Sequence, residues 1–256
     1  MITKPIAVLA LASSVALTAP ALGSVILVND TFDDGTNPGY ADPSGGGGTV
    51  SVVADTGFGS NALLLETTSN NRTATRAFSP SLLLSDVGDF VELDLDYRFG
   101  QDINDNFSVE FNLIDSVSGV EVGSAINPSA ATNGGTFSTE IDNNAGRFDT
   151  IASGQTPQSL TFRADVTAPG ELVFSISFDG GVTTQTSNTV LIGGPSGVGI
   201  GAPVTLDTLE FGFVSGQQGL LYLDNVVIES NAVIPEPTSA AAIGLGLLGL
   251  TVRRRR

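Results

Sequence analysis

Four runs of the chain alternate apolar and polar residues with the period of two that a half-buried strand requires. In Phe90–Arg98, Val91, Leu93, Leu95 and Tyr97 share one face, while Glu92, Asp94 and Asp96 share the other. In Asn106–Asp115, Phe107, Val109, Phe111 and Leu113 oppose Ser108, Glu110 and Asn112. Leu160, Phe162, Ala164 and Val166 make a third stripe, and Leu172, Phe174, Ile176 and Phe178 a fourth. Ala168-Pro169-Gly170 lies between these last two, which predicts a hairpin. Weaker strands are expected at Val25–Asn29, Thr49–Ala54, Ala62–Glu66, Thr73–Phe78, Thr136–Ile141, Leu206–Phe213 and Leu220–Glu229. The body shows no helical periodicity; Gly45–Gly48 reads as a flexible loop and Asp142–Gly146 as a hairpin loop. About a dozen short strands, each with one apolar face, must stack as two sheets about 10 Å apart. The expected fold is therefore all-β, an antiparallel two-sheet sandwich, with a jelly roll the commonest arrangement of so many strands. A β-helix would need a repeat of fixed period, and the chain has none.

Both ends break this pattern. Lys4, the apolar stretch Ile6–Leu17 and the small residues Ala19-Pro20-Ala21-Leu22-Gly23 follow the order of a secretory signal peptide. Cleavage after Gly23 or after Ala21 satisfies it. At the other end, Ile234-Pro235-Glu236-Pro237 precedes an apolar run from Ala240 to Val252 and the terminal Arg253, Arg254, Arg255 and Arg256. As a helix, Thr238–Val252 would reach about 22 Å, short of a hydrocarbon core near 30 Å. It is glycine-rich and inserts marginally, and the arginines stay cytoplasmic by the positive-inside rule. The expected organisation is a signal peptide at 1–23, which adds an N-terminal signal helix, a β-sandwich at 24–232, and a sorting signal with a short transmembrane helix at 233–256.

Removing the two signals changes the charge. Of 27 acidic residues only Glu236 leaves, whereas Lys4 and four arginines leave from 10 basic ones. The remaining 26 acids face Arg72, Arg76, Arg98, Arg147 and Arg163, a net of −21. That surface repels phosphate backbones, which excludes nucleic acid as a partner, and it attracts cations, calcium above all. The chain has no cysteine and no histidine, so disulfides, thiolate chemistry, a Ser-His-Asp triad and an ordinary zinc site are unavailable. An enzyme built from it would work with carboxylates alone. Without tryptophan, sugar stacking falls to Tyr40, Tyr97, Tyr222 and surface phenylalanines.

Pro235-Glu236-Pro237, the short apolar segment and the arginine end closely resemble the PEP-CTERM sorting signal of Gram-negative-type bacteria. The resemblance covers residues 233–256. It implies recognition by an exosortase, a membrane transpeptidase-like protease that cleaves nearby and passes the protein to the cell surface. It also implies transient insertion in the inner membrane and an association with exopolysaccharide and biofilm matrix. Glu236 and its prolines are then signal residues rather than a catalytic centre.

The body carries a looser likeness. Its opening, Leu27-Val28-Asn29-Asp30-Thr31-Phe32-Asp33-Asp34-Gly35, and its close, Leu221-Tyr222-Leu223-Asp224-Asn225-Val226-Val227-Ile228, resemble carbohydrate-binding-module and concanavalin-like jelly rolls. In those folds the first and last strands pair, often beside a structural calcium. The likeness points to Asp30, Asp33 or Asp34 with Asp224 as metal ligands, against the simpler reading of strand-end caps. Asp102-Ile103-Asn104-Asp105-Asn106 places oxygens of Asp102, Asn104 and Asn106 at alternate positions, as a calcium loop does. It lacks the glycine and distal glutamate of an EF-hand, and Asx turns explain it equally well.

Glu92, Asp94 and Asp96 lie on one strand face at intervals of about 6.6 Å. The run resembles the Glu-x-Asp-x-Glu strand of concanavalin-like β-glucanases, which implies Glu92 as nucleophile and Asp96 as acid. Asp96 departs from the glutamate that the family uses there. Alternation alone predicts the same residues as the solvated face of an amphipathic strand, and that reading is preferred. The expected function is thus an exported cell-surface or matrix protein, sorted by an exosortase, acting as a non-enzymatic adhesion or polysaccharide-binding module. The alternatives are a glycoside hydrolase using Glu92 and Asp96, or a purely structural surface protein.

Overall fold

A computed structural model describes residues 23–42, 47–69, 72–100, 109–128, 136–141, 147–152, 156–178, 183–186, 190–191, 203–213 and 219–232. The regular elements among the described residues are all strands: β1 (Val25–Asp30), β2 (Gly47–Asp55), β3 (Ser60–Ser69), β4 (Arg72–Leu84), β5 (Phe90–Phe99), β6 (Val109–Ile114), β7 (Glu121–Pro128), β8 (Thr136–Ile141), β9 (Arg147–Ala152), β10 (Gln158–Ala168), β11 (Glu171–Phe178), β12 (Thr183–Thr186), β13 (Val190–Leu191), β14 (Val204–Phe213) and β15 (Gly219–Ser230). The expected signal and transmembrane helices lie outside the described residues. Within them no helix is long and apolar enough to cross a membrane.

The strands form two antiparallel sheets, as the alternation requires. One runs β12-β11-β10-β5-β15-β3-β2, with β1 added on β15 and β13 on β11; the other runs β4-β14-β6-β7-β8-β9. The jelly-roll sandwich encloses one core. From β5 it takes Val91, Leu93, Leu95, Tyr97 and Phe99, each at most 2% exposed. Opposite them stand Phe111 and Leu113 of β6 and Leu209, Phe211 and Phe213 of β14. Edge-to-face pairs such as Phe111–Phe211, 5.7 Å between centroids, knit the core together. Burial of each such side chain contributes about 1.5–3 kcal/mol.

β10 and β11 form the expected hairpin, from Leu160 opposite Phe178 to Ala168 opposite Glu171. The first and last strands pair, with Val25 opposite Ser230 and Asp30 opposite Val226. β8 and β9 flank Asp142–Gly146 as an antiparallel pair. Four strands lacked a clear signal. β7 contains glycine and proline, β9 mixes charge with apolar residues, and β12 and β13 are short. β4 extends to Leu84, beyond the expected Phe78, past a cis Ser79–Pro80 bond, because β14 pairs on both sides of that interruption. Residues 106–108 of the second stripe lie outside the described residues, as do Gly45 and Gly46, whereas Gly47 and Gly48, expected in a flexible loop, open β2 by pairing with Ser69 and Thr67.

Candidate functional site

The outer face of the larger sheet carries the acidic strand. In β5, Glu92, Asp94 and Asp96 are half-buried and alternate with fully buried apolar residues. Register with β10 places Arg163 opposite Glu92, Thr161 opposite Asp94 and Ser159 opposite Asp96. Arg163 Nη1 reaches Glu92 Oε2 at 3.1 Å, and its Nη2 reaches Asp165 Oδ1 at 2.8 Å. The guanidinium also lies 3.8 Å above the Phe90 ring centroid. Thr161 Oγ1 donates to Asp94, Ser159 Oγ donates to Asp96 Oδ1, and Asn225 Nδ2 donates to Asp96 Oδ2 at 2.8 Å. Each of the three carboxylates thus has a cross-strand donor.

The terminal-strand acids divide between two sides of this sheet. Asp30 is on the core side, accepting the Tyr40 hydroxyl at 3.0 Å and pairing with Arg76 of β4. Arg76 also stacks over Tyr40, and Tyr40 on Phe211, so this charge pair belongs to the core. Burial raises the Tyr40 hydroxyl well above its ordinary range, which keeps it protonated as a donor. Asp224 is on the outer side, at a bulge where Asn225 adopts φ 50°. It accepts Ser60 Oγ at 2.9 Å and the Asn225 amide at 2.8 Å. Burial first, with Asp33 and Asp96 adding repulsion, raises its carboxyl above the ordinary range. Asp34 turns to its own loop, where the Thr36 hydroxyl and amide hold it below its ordinary value. Among the described residues no three acidic side chains converge closely enough to hold a metal ion. Asp30 and Asp224 thus face opposite sides of the sheet, Asp30 paired with Arg76 and Asp224 with Ser60. The Asp102, Asn104 and Asn106 loop lies outside the described residues.

Beside Asp33 an open cleft of ≈ 470 Å³ is lined by Asp55, Thr56, Gly59, Ser60 and Asn61. Its wall is fixed by Arg98, whose Nε donates to Asp55 Oδ2 at 2.6 Å while the guanidinium lies 3.9 Å above the Tyr222 ring centroid. Tyr222 is thus engaged by a cation on one face of the ring.

A second constellation, on the outer face of the smaller sheet, was not singled out from sequence. Glu210 of β14 stands opposite Asn112 of β6, and Glu110 stands opposite Gly212, so the two glutamates are diagonal neighbours. Such positions are roughly 7–8 Å apart at their Cβ atoms. Asn112 is only 6% exposed and donates from Nδ2 to Glu110 Oε2 at 3.4 Å. It can lie across β7 because its partner there is Gly123, where a Cβ would sit 2.2 Å from Asn112 Oδ1 and 2.3 Å from the Phe111 carbonyl oxygen. Burial, then Glu121 and Glu110, push the Glu210 carboxyl up to about 7, against the pull of the Asn112 hydrogen bond. Burial and Glu121 raise Glu110 as well. A carboxyl that keeps its proton near neutral pH can donate a hydrogen bond to a hydroxyl or ether oxygen, while a neighbouring carboxylate accepts one. The available signal was a lone acid in the apolar Leu209–Phe213 run, which gains meaning only beside β6 and β7.

Ala232, the last of the described residues, accepts the Leu83 amide at its carbonyl at 2.8 Å. The tail begins at the next residue. Residues 233–256 are a PEP-CTERM protein-sorting motif. The PEP-CTERM tail covers Pro235, Glu236, Pro237 and Arg253–Arg256, and it implies an exosortase-sorted surface protein. No curated protein sequence matches the chain. The structure is similar to a carbohydrate esterase of the Shiga toxin-encoding bacteriophage phi24B, with 14% identity over 81% of this chain and 99% of that one, at a TM-score of 0.53. It is also similar to winged bean acidic lectin complexed with methyl-α-D-galactose, with 11% identity over 81% and 98% at a TM-score of 0.47. The CBM2 module of the Lactobacillus casei BL23 phage J-1 evolved Dit gives 11% identity over 83% and 97%, also at 0.47. At 14% identity the likeness to the esterase is one of fold alone.

Proposed function

We propose that the β-sandwich is a non-catalytic module that is exported, tethered briefly in the inner membrane by its PEP-CTERM tail, and released to the cell surface or matrix, where it binds extracellular polysaccharide. The observation that carries this reading is a sorting tail joined at Ala232 to an acidic sandwich lacking histidine and cysteine. The net charge of −21 for 24–232 favours neutral glycans over uronate-rich or sulfated ones, which the surface field repels. Hydrogen bonds and the Arg163 pair engage Glu92, Asp94 and Asp96, which supports the solvated-face reading of that strand. For calcium we propose the Asp102, Asn104 and Asn106 loop, since Arg76 already neutralises Asp30. A melting temperature unmoved by chelator refutes it.

A glycan array probed with the purified protein tests the main reading. Retention on neutral glycans with loss on anionic ones supports it. Absence of any retention leaves a purely structural surface protein. In cells, Glu236→Ala is expected to leave the protein unprocessed in the inner-membrane fraction, and normal release of that variant refutes exosortase sorting.

The raised Glu210 favours one second reading, a glycan-cleaving enzyme using carboxylates. Its acid would be Glu210 beside Glu110 rather than Asp96 beside Glu92. Reducing ends released from polysaccharide by the protein, and lost in Glu210→Gln, would establish it.

A further inference from the structure

The described residues expose four large apolar side chains: Val25 at 42%, Ile26 at 58%, Val87 at 64% and Val117 at 93%. Single exposed apolar residues need no explanation, but these four share one end of the sandwich. Val25 and Ile26 open β1 opposite Ser230 and Glu229, where β15 ends. Val87 lies in the β4–β5 turn, which is bound to the chain exit through Asn231 Nδ2 and the Gly88 carbonyl at 3.0 Å. Val117 lies in the β6–β7 turn. There the Ser116 amide donates to Asp207 of β14 at 3.0 Å, close to where Val204 of β14 pairs with Leu84.

Ala232 leaves the body at this same end. Seven residues, 233–239, separate it from the apolar run that starts at Ala240. Eight Cα steps reach at most about 28 Å. The ten-residue β5 is itself about 33 Å long. While the tail is in the membrane, the Val87 and Val117 end therefore stays within about 28 Å of the apolar segment, a bound that the tether does not place on the far end.

We propose that this end docks on the lipid bilayer during the tethered stage, with the Val87 and Val117 turns entering the headgroup and acyl boundary. The proposal rests on the reading of the PEP-CTERM tail as a membrane tether. Asp86, Asp89 and Asp115 lie on the same turns, so anionic headgroups are repelled and zwitterionic lipid is the favoured surface. Docking would present the segment around Pro235 at the membrane surface, where a membrane-embedded protease works.

The chain has no tryptophan, so each introduced one is a single reporter. The full chain carrying Val87→Trp, Val117→Trp or, at the far end beside Gly219, Thr68→Trp is reconstituted into phosphatidylcholine vesicles containing brominated lipid. Emission at 87 and 117 is expected to fall about twofold or more and shift to the blue, with no change at 68. Added phosphatidylserine weakens the effect, and Val87→Asp in the Val117→Trp chain abolishes it. Unchanged emission at 87 and 117 in chains that co-sediment with the vesicles overturns the docking while leaving the tether intact. Chains that fail to co-sediment overturn the tether and the docking with it. A change that appears only when an exosortase-type protease is co-reconstituted overturns the lipid assignment in favour of a protein surface.

Discussion

Glu210→Gln should stabilise the protein at alkaline pH and leave it unchanged in acid. The Glu210 carboxyl is moved from its ordinary 4.5 to about 7, mainly by burial and then by Glu121 and Glu110. Those 2.5 decades, at 1.36 kcal/mol each, set an upper bound of about 3.4 kcal/mol for the cost of ionising it in the folded state. Glu210 keeps partial contact with water, and screening reduces the expected cost to about 1–2 kcal/mol. The sign follows from proton binding. Between pH 4.5 and 7 the folded state holds a proton that the unfolded state has lost, so stability falls as pH rises through that window. The neutral amide has no such dependence and can still bond to Asn112. For a domain of this size about 1 kcal/mol moves Tm by roughly 2–4 °C. Calorimetry should therefore show the variant melting about 2–8 °C above the parent at pH 8, with the gap closing by pH 4.5. Equal melting at pH 8, or a gap of the same size at pH 4.5, would refute the account of this cluster.

Three other substitutions probe the remaining architecture. Arg76→Ala strands the buried Asp30 carboxylate and should cost about 3–5 kcal/mol in denaturant unfolding, whereas Asp30→Asn with Arg76→Met should recover much of that loss. Glu92→Gln should cost less than about 1 kcal/mol by the same measurement, since Arg163 keeps Asp165 and the pair is partly exposed. Gly123→Ala drives a Cβ into the Phe111 carbonyl and the Asn112 amide, and should cost about 1–3 kcal/mol and perturb the Glu210 titration read by NMR.

The strands with clean alternation were legible because each residue's face follows from its own position in the run. Leu93 and Glu92 take opposite sides of β5 whatever stands beside them. β7, β9, β12 and β13 were not legible, since pairing with neighbours, rather than an apolar stripe of their own, defines them as strands. The hairpin at Pro169-Gly170 was readable from its turn. The placement of β5 between β10 and β15, and of β14 between β4 and β6, was not, because these neighbours are distant in the chain. Asp30 and Asp224 look equivalent as strand-end acids. Only the sheet assigns one to Arg76 and the core, and the other to Ser60 and the outer face.

By itself the sequence determined the sorting tail, the all-β class and the solvent face of the acidic strand. Those properties depend on residue order and local period, which need no partner strand. The tertiary structure alone decided which carboxylates are neutralised, that Glu210 sits beside Glu110 and Glu121, and that the exposed valines gather where the chain leaves the body. Electrostatic coupling and shared surface depend on distance in space, and the strand order of a jelly roll brings together residues about a hundred positions apart.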